Sequence, residues 1–274
     1  MLSIDDFGIC EEIDKQIIEF TSTKKIDSIS IVVTNRTILS NKYIDKLESV
    51  KIWSLHLNLT EGMPLVLGSN TLVKANGTYR FRAPGLNFIL NIFGLFSTSL
   101  YANISKEIEA QINLFKSVLK ENGKNEKLIY LDGHEHVHMI PLVSKILNEI
   151  AVHHSDHQFI LRLPKSLIKY RNFKIANLPK VIALNSYSAI ANIFHAKNVY
   201  WKNSYIEPFW GNYHFEPNLH QDIEYIFHPC HLDGSQLGQY MSNKRYVNFY
   251  SSHRRKVEKE FLMSVIKFSG PKII

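Results

Sequence analysis

Two cysteines in 274 residues, Cys10 and Cys230, exclude a disulfide framework and make a reducing cytoplasm the simpler setting. No apolar run is long enough to span a bilayer. The most apolar stretch, residues 86–100, is too short and is broken by Asn87, Asn91 and Gly94. It reads as a buried helix, a lid over a site, or a patch that touches lipid. The amino terminus reaches Asp5 and Asp6 too early to read as a signal peptide. There is no phosphate-binding glycine loop, no low-complexity tract, no internal repeat and no linker, so one domain over residues 1–274 is the expectation. Charge of one sign is not clustered either. The net charge is +7, but the densest basic group, Arg254-Arg255-Lys256 with Lys259, is interleaved with Glu258 and Glu260. That is a solvated helix face, and no nucleic-acid partner is expected.

What is present alternates between short apolar runs and helical patterns, which implies an α/β fold with a parallel sheet. Met1 to Ile4 forms a brief first strand that delivers Asp5-Asp6-Phe7-Gly8. Glu11 to Phe20 reads as a helix with Ile13, Ile17 and Phe20 on one face. Ser28 to Val33 and Val50 to Leu55 read as strands, with a helical stretch near Asn41 to Leu47 between them. A helix over about Ser105 to Asn122 ends at Gly123. Leu128 to Leu131 is a buried strand, Pro141 opens a helix, and Phe159 to Pro164 and Glu224 to Phe227 are later strands. Residues 246–267 read as a C-terminal helix.

The chemistry gathers where these strands end. Leu131-Asp132-Gly133-His134-Glu135-His136-Val137-His138 puts three histidines and two carboxylates within seven residues, directly after the buried strand. Neutral imidazole ligates zinc and similar metals, and carboxylates serve as ligands, bases or supporting partners. Asp5 and Asp6 repel each other unless a cation or a shared proton relieves them. His56 and His228 also stand at strand ends. Each motif has a plain alternative: a polar loop, an Asx turn with a helix cap, a structural histidine. Their convergence on one sheet end favours a site.

Taken together, Asp5-Asp6-Phe7-Gly8, His56-Leu57-x-Leu59-Thr60-x-Gly62-x-Pro64, Leu131-Asp132-Gly133-His134-x-His136-x-His138-x-x-Pro141 and His228-Pro229 resemble the YdjC-like carbohydrate deacetylases. Glu107 and Gln111 resemble that family's Glu-x-x-x-Gln segment. The resemblance implies a (β/α)-barrel-like fold, a distorted barrel like that of polysaccharide deacetylases. It also implies metal-dependent removal of an N-acetyl group from an amino sugar in an oligosaccharide or glycan, and a homodimer. It assigns Asp6, His56 and His134 as ligands of one divalent metal ion, with Mg and Zn the leading identities. Asp5 is the implied base and His228 the candidate general acid. Asp132, Glu135, His136 and His138 fall to the surroundings of the metal or to the sugar pocket.

Two other classes fit the same residues: a non-catalytic glycan-binding protein of this fold, and a metal-dependent hydrolase of a different bond. Against a phosphoester stands the lack of clustered Arg or Lys at the motifs. The apolar stretch and the positive charge allow a lipid-linked substrate or peripheral membrane contact. The aromatics from Tyr187 to Phe215, Trp210 among them, suit either a sugar pocket or a core with a dimer interface.

Overall fold

The computed structural model describes residues 1–34, 42–60, 62–66, 98–165, 182, 185–186, 197–205, 224–233 and 244–268. Seven parallel strands close into a barrel in sequence order: β1 (Leu2–Phe7), β2 (Ser28–Ile31), β3 (Ile52–Leu57), β4 (Leu128–Gly133), β5 (Gln158–Lys165), β6 (Val199–Tyr205) and β7 (Glu224–Phe227). Strand β7 pairs with β1 through Leu2 opposite Tyr225 and Ile4 opposite Phe227, which completes the ring. The helices are α1 (Glu11–Thr21), α2 (Thr98–Glu121), α3 (Pro141–His153), α4 (Lys244–Tyr250) and α5 (His253–Phe268). The expected α/β barrel is therefore the fold.

The barrel is filled in an unusual way, and strand periodicity explains it. Side chains alternate between the two faces of a strand. In β1 to β5 the outward set is Ile4, Ile29, Ile31, Trp53, Leu55, Ile129, Leu131, Phe159 and Leu161, all within the main apolar cluster. The inward set includes Ser3, Asp5, Ser30, Ser54, His56, Asp132 and Arg162, which bond to one another and are all buried. The hydrophobic core thus lies between barrel and helices, where Ile108, Ile112 and Phe115 of α2 and Ile13, Ile17 and Phe20 of α1 are fully buried. The barrel itself holds a polar column. Toward the end opposite the site, Met1, Ser28, Ile52, Tyr130, Ile160 and Lys202 line a small cavity.

Several elements depart from the sequence expectation. β1 extends through Phe7, so Asp5 and Asp6 lie within a strand rather than after it. Strands β3 and β4 likewise include His56 and Gly133. Of the helical stretch expected near Asn41 to Leu47, the described residues 42–47 hold a short 3-10 turn, Ile44–Leu47. Strand β6 was not expected, and the C-terminal helix is broken at Ser251-Ser252 into α4 and α5. Residues 67–97, which include most of the apolar stretch 86–100, and most of the aromatic segment, including Trp210, lie outside the described residues. No described helix is long and apolar enough to cross a membrane.

Candidate metal centre at the barrel mouth

Two consecutive aspartates both face the barrel interior, which regular alternation forbids. The strand solves this with an irregularity: the β1–β2 register shifts between Ile4 and Phe7, and Asp6 takes a left-handed φ of 78°. For a non-glycine residue this backbone costs on the order of 1–2 kcal/mol. Asp5 then points down the barrel axis, while Asp6 turns toward the mouth.

At the mouth Asp6 Oδ1 lies 3.1 Å from His56 Nε2 and 2.9 Å from His134 Nδ1, and the two imidazole nitrogens are 3.3 Å apart. All three residues are buried. Ligand atoms about 2.0–2.1 Å from one ion lie about 2.9 Å apart at a right angle and about 3.3 Å apart at a tetrahedral one. The three atoms therefore have the spacing of one face of a metal site. Charge agrees with geometry. Asp5, Asp6, Asp132 and Glu224 are buried in and around the barrel, against one guanidinium, that of Arg162. Such an excess of carboxylate calls for a cation or for bound protons.

Protons fill that role when no metal is bound. Burial opposes charge on His56, but Asp132 and Asp6 outweigh it and push its pKa up to about 10. Burial raises Asp5 to about 6, with Arg162 pulling the other way and Asp132 adding to the rise. Asp6 goes well below the usual carboxylate range, because His134 and His56 overcome its burial. Asp132 is also lowered; burial there is outweighed by Arg162 and His56.

Below the mouth a second layer orients the first. His56 Nδ1 is held by Asp132 Oδ1, which aims Nε2 at Asp6. Asp132 Oδ2 accepts from Ser54 Oγ at 2.8 Å and lies 2.9 Å from Arg162 Nη1. Ser30 Oγ is 2.8 Å from Asp5 and 2.6 Å from Asp132. One hydroxyl proton serves only one of these two carboxylates at a time. Arg162 Nη1 donates to both Asp5 oxygens at 3.0 and 2.9 Å, and Nη2 reaches Glu224 at 2.7 Å.

Gly133 and the turn after it place His134. A Cβ on Gly133 would lie 2.7 Å from His138 Nδ1 and 2.9 Å from the His138 backbone nitrogen, so the turn closes only over glycine. Glu135 and His136 both take left-handed φ values, 52° and 60°, inside the 3-10 turn His134–Met139. These two stay half-buried and outside the three-residue cluster. His138 is fully buried, with Nε2 donating to the Arg162 carbonyl at 2.8 Å, and burial lowers it to about 4. It braces the turn against β5.

His228 completes the mouth. Its Nε2 lies 3.9 Å from Asp5 Oδ2 and 4.0 Å from Asp6 Oδ2. About a fifth of the side chain is exposed. Burial lowers it to about 3, against the pull of Asp6, so the ring is neutral. Its backbone N–H donates to Glu258 and its carbonyl accepts from Arg255 at 3.2 Å. From α4, Tyr250 donates its hydroxyl proton to Asp6 Oδ2.

Among the predicted positions the structure brings Asp5, Asp6, His56, Asp132, His134 and His228 together. Sequence reasoning missed Arg162, Glu224, Ser30, Ser54 and Tyr250. Two signals were available: a single arginine inside the otherwise apolar run Phe159 to Pro164, and the strict Ser-Ile-Ser-Ile alternation of β2. Glu107 and Gln111 hold the mouth from outside the barrel. The Glu107 carboxylate accepts from the N–H groups of Leu65 and Val66, and Gln111 exchanges two bonds with the Asn58 backbone.

Residues 1–266 match the family model described as YdjC-like protein. The chain belongs to the YdjC-like family. Among curated relatives, the protein named "Carbohydrate deacetylase" in Xenopus laevis is 29% identical over 170 residues, 61% of this chain and 51% of the relative. Its namesake in Danio rerio is 25% identical over 74% of this chain and 62% of the relative. That in Clostridium beijerinckii is 24% identical over 86% of this chain and 83% of the relative. The matched part of this YdjC-like chain spans about half to three-fifths of the length of the two vertebrate relatives. Among solved structures, the crystal structure of a candidate cellobiose-phosphate cleavage protein from Enterococcus faecalis V583 has a TM-score of 0.55 at 16% identity, covering 97% of this chain and 94% of that one. That likeness is one of fold.

Proposed function

We propose that the protein removes the N-acetyl group from an amino sugar of an oligosaccharide or glycan intermediate, releasing acetate, with one divalent cation held by Asp6, His56 and His134. The observation that carries this reading is the cluster itself. Two imidazoles and a carboxylate converge with their donor atoms 2.9–3.3 Å apart, and a second carboxylate and a neutral imidazole stand beside them. The curated relatives' shared name supports the substrate class.

A divalent cation, Mg or Zn, supplies Lewis acidity at such a site, polarising the acetyl carbonyl and acidifying water. The rest falls to the side chains. Asp132 fixes the His56 ring so that Nε2 faces inward. Asp5 is the base. Its burial and the nearby Asp132 make it more basic than an ordinary carboxylate, and Arg162 holds both its oxygens. It takes a proton from the attacking water as oxygen adds to the acetyl carbon. When the C–N bond breaks, the amine needs one proton. His228, 3.9 Å from Asp5, receives from Asp5 the proton taken from water and passes it to nitrogen as the C–N bond breaks. Glu135 and His136, half-buried on the turn, are the assigned sugar contacts in this reading.

The test is acetate release from a panel of N-acetylated oligosaccharides after chelation and after adding back Mg or Zn. Release that stops on chelation and returns with metal is expected. Tight sugar binding with no acetate from any substrate would favour a glycan-binding protein instead.

A further inference from the structure

We infer that Tyr250 is a positioning residue for the metal centre, fixing which oxygen of Asp6 faces the two histidines. The inference rests on the metal-site reading above and extends it to a residue outside the family's motifs. Asp6 has two carboxylate oxygens in one small space. Oδ1 lies 3.1 Å from His56 Nε2 and 2.9 Å from His134 Nδ1, while Oδ2 accepts the Tyr250 hydroxyl proton. With Oδ2 engaged, the carboxylate is turned to offer one oxygen, as a single-point ligand. The irregular, left-handed stretch of β1 brings Asp6 to the mouth, and the Tyr250 bond fixes the oxygen that faces away from the two histidines.

Tyr250 is itself rigidly placed. It is fully buried at the last position of α4, and its ring meets that of Phe249 edge-on at 5.0 Å. Phe249 in turn lies against the His228 ring at 5.7 Å and under the Arg255 guanidinium at 4.4 Å. Arg255 and Glu258 of α5 hold the His228 backbone. The break between α4 and α5 is therefore what lets one elbow reach both Asp6 and His228.

Hydrogen-bond partners of metal-ligating carboxylates commonly change metal affinity by about 10- to 100-fold when removed. Tyr250→Phe deletes only the hydroxyl. Zinc titrated into the metal-free full-length protein by calorimetry should bind the variant about ten-fold or more weakly than the wild type. At saturating zinc, any acetate-releasing activity should recover most of its wild-type rate, because the loss lies in metal occupancy. Tyr250→Leu, measured the same way, covers the case in which the phenylalanine protein does not fold. Equal zinc affinity in wild type and a folded hydroxyl-less variant would overturn the inference while leaving the metal site intact. A wild type that binds no zinc would instead sink the metal reading on which it stands.

Discussion

Asp132 shows how much of this site depends on residues that need not touch a substrate. Its two oxygens hold the His56 ring, Ser54 and Arg162, so one carboxylate sets the ring's tautomer and direction. Asp132→Ala should lower zinc affinity by about 10- to 100-fold in calorimetric titration. Unchanged affinity would remove Asp132 from that role. Titration behaviour follows from the same contacts. In the metal-free protein His56 is raised to about 10, Asp5 to about 6 and Glu258, mainly by burial, to about 7. Each binds its proton more tightly folded than unfolded. Each therefore contributes stability that is full below its unfolded value and is lost as pH rises through the folded one. Asp6 and Asp132 are lowered, so their contribution disappears only as pH falls through the carboxylate range. His138 and His228, lowered by burial, pull the other way below about 6.5, so the urea midpoint of the metal-free protein should fall as pH rises from about 7 to about 10, through the range of His56. Zinc binding near neutral pH should release protons, since His56 must become neutral to ligate. A midpoint that does not change over that range would contradict the assignment.

At the scale of elements, strands were more legible than what lies inside them. The apolar runs located six of the seven strands, because burial of the outward face against helices demands Ile, Leu, Val and Phe. The histidines marked the mouth because functional residues of parallel α/β barrels collect at the carboxyl ends of the strands. What escaped was the polar column. Arg162 has meaning only through partners 30 or more residues away, Glu224 pairs with it across 62, and the β1 irregularity that turns Asp6 inward leaves no local signature. Strand β6 was missed because Tyr200, Trp201 and Lys202 lack the clean alternation of its neighbours. Helix α2 carries a further prediction. Glu107 is wholly buried and receives the Leu65 and Val66 N–H groups, tying the segment after β3 to the barrel. Glu107→Ala should destabilise the fold by about 2–3 kcal/mol in urea unfolding, since backbone donors lose a charged acceptor. A change below about 0.5 kcal/mol would show that this contact carries no weight.

For the molecule as a whole, the architecture separates stability from chemistry. The hydrophobic core lies outside the barrel, between strands and helices, so the interior is free to hold charge. A barrel interior is ordinarily filled by branched apolar layers; here Ser3, Ser30, Ser54, Asp5, Asp132, Arg162 and Glu224 form a bonded column beneath the mouth. That column fixes the candidate base and the His56 ring from below, while the α4–α5 elbow reaches Asp6 and His228 from the side. On the proposed function, the cluster at the mouth is a metal centre that hydrolyses an acetamide. This is tested most directly by acetate release from N-acetylated oligosaccharides, comparing metal-replete wild type with His134→Ala under identical metal. The wild type should release acetate, and the variant should lose zinc affinity and release together. Release that persists undiminished in a folded His134→Ala protein would contradict it.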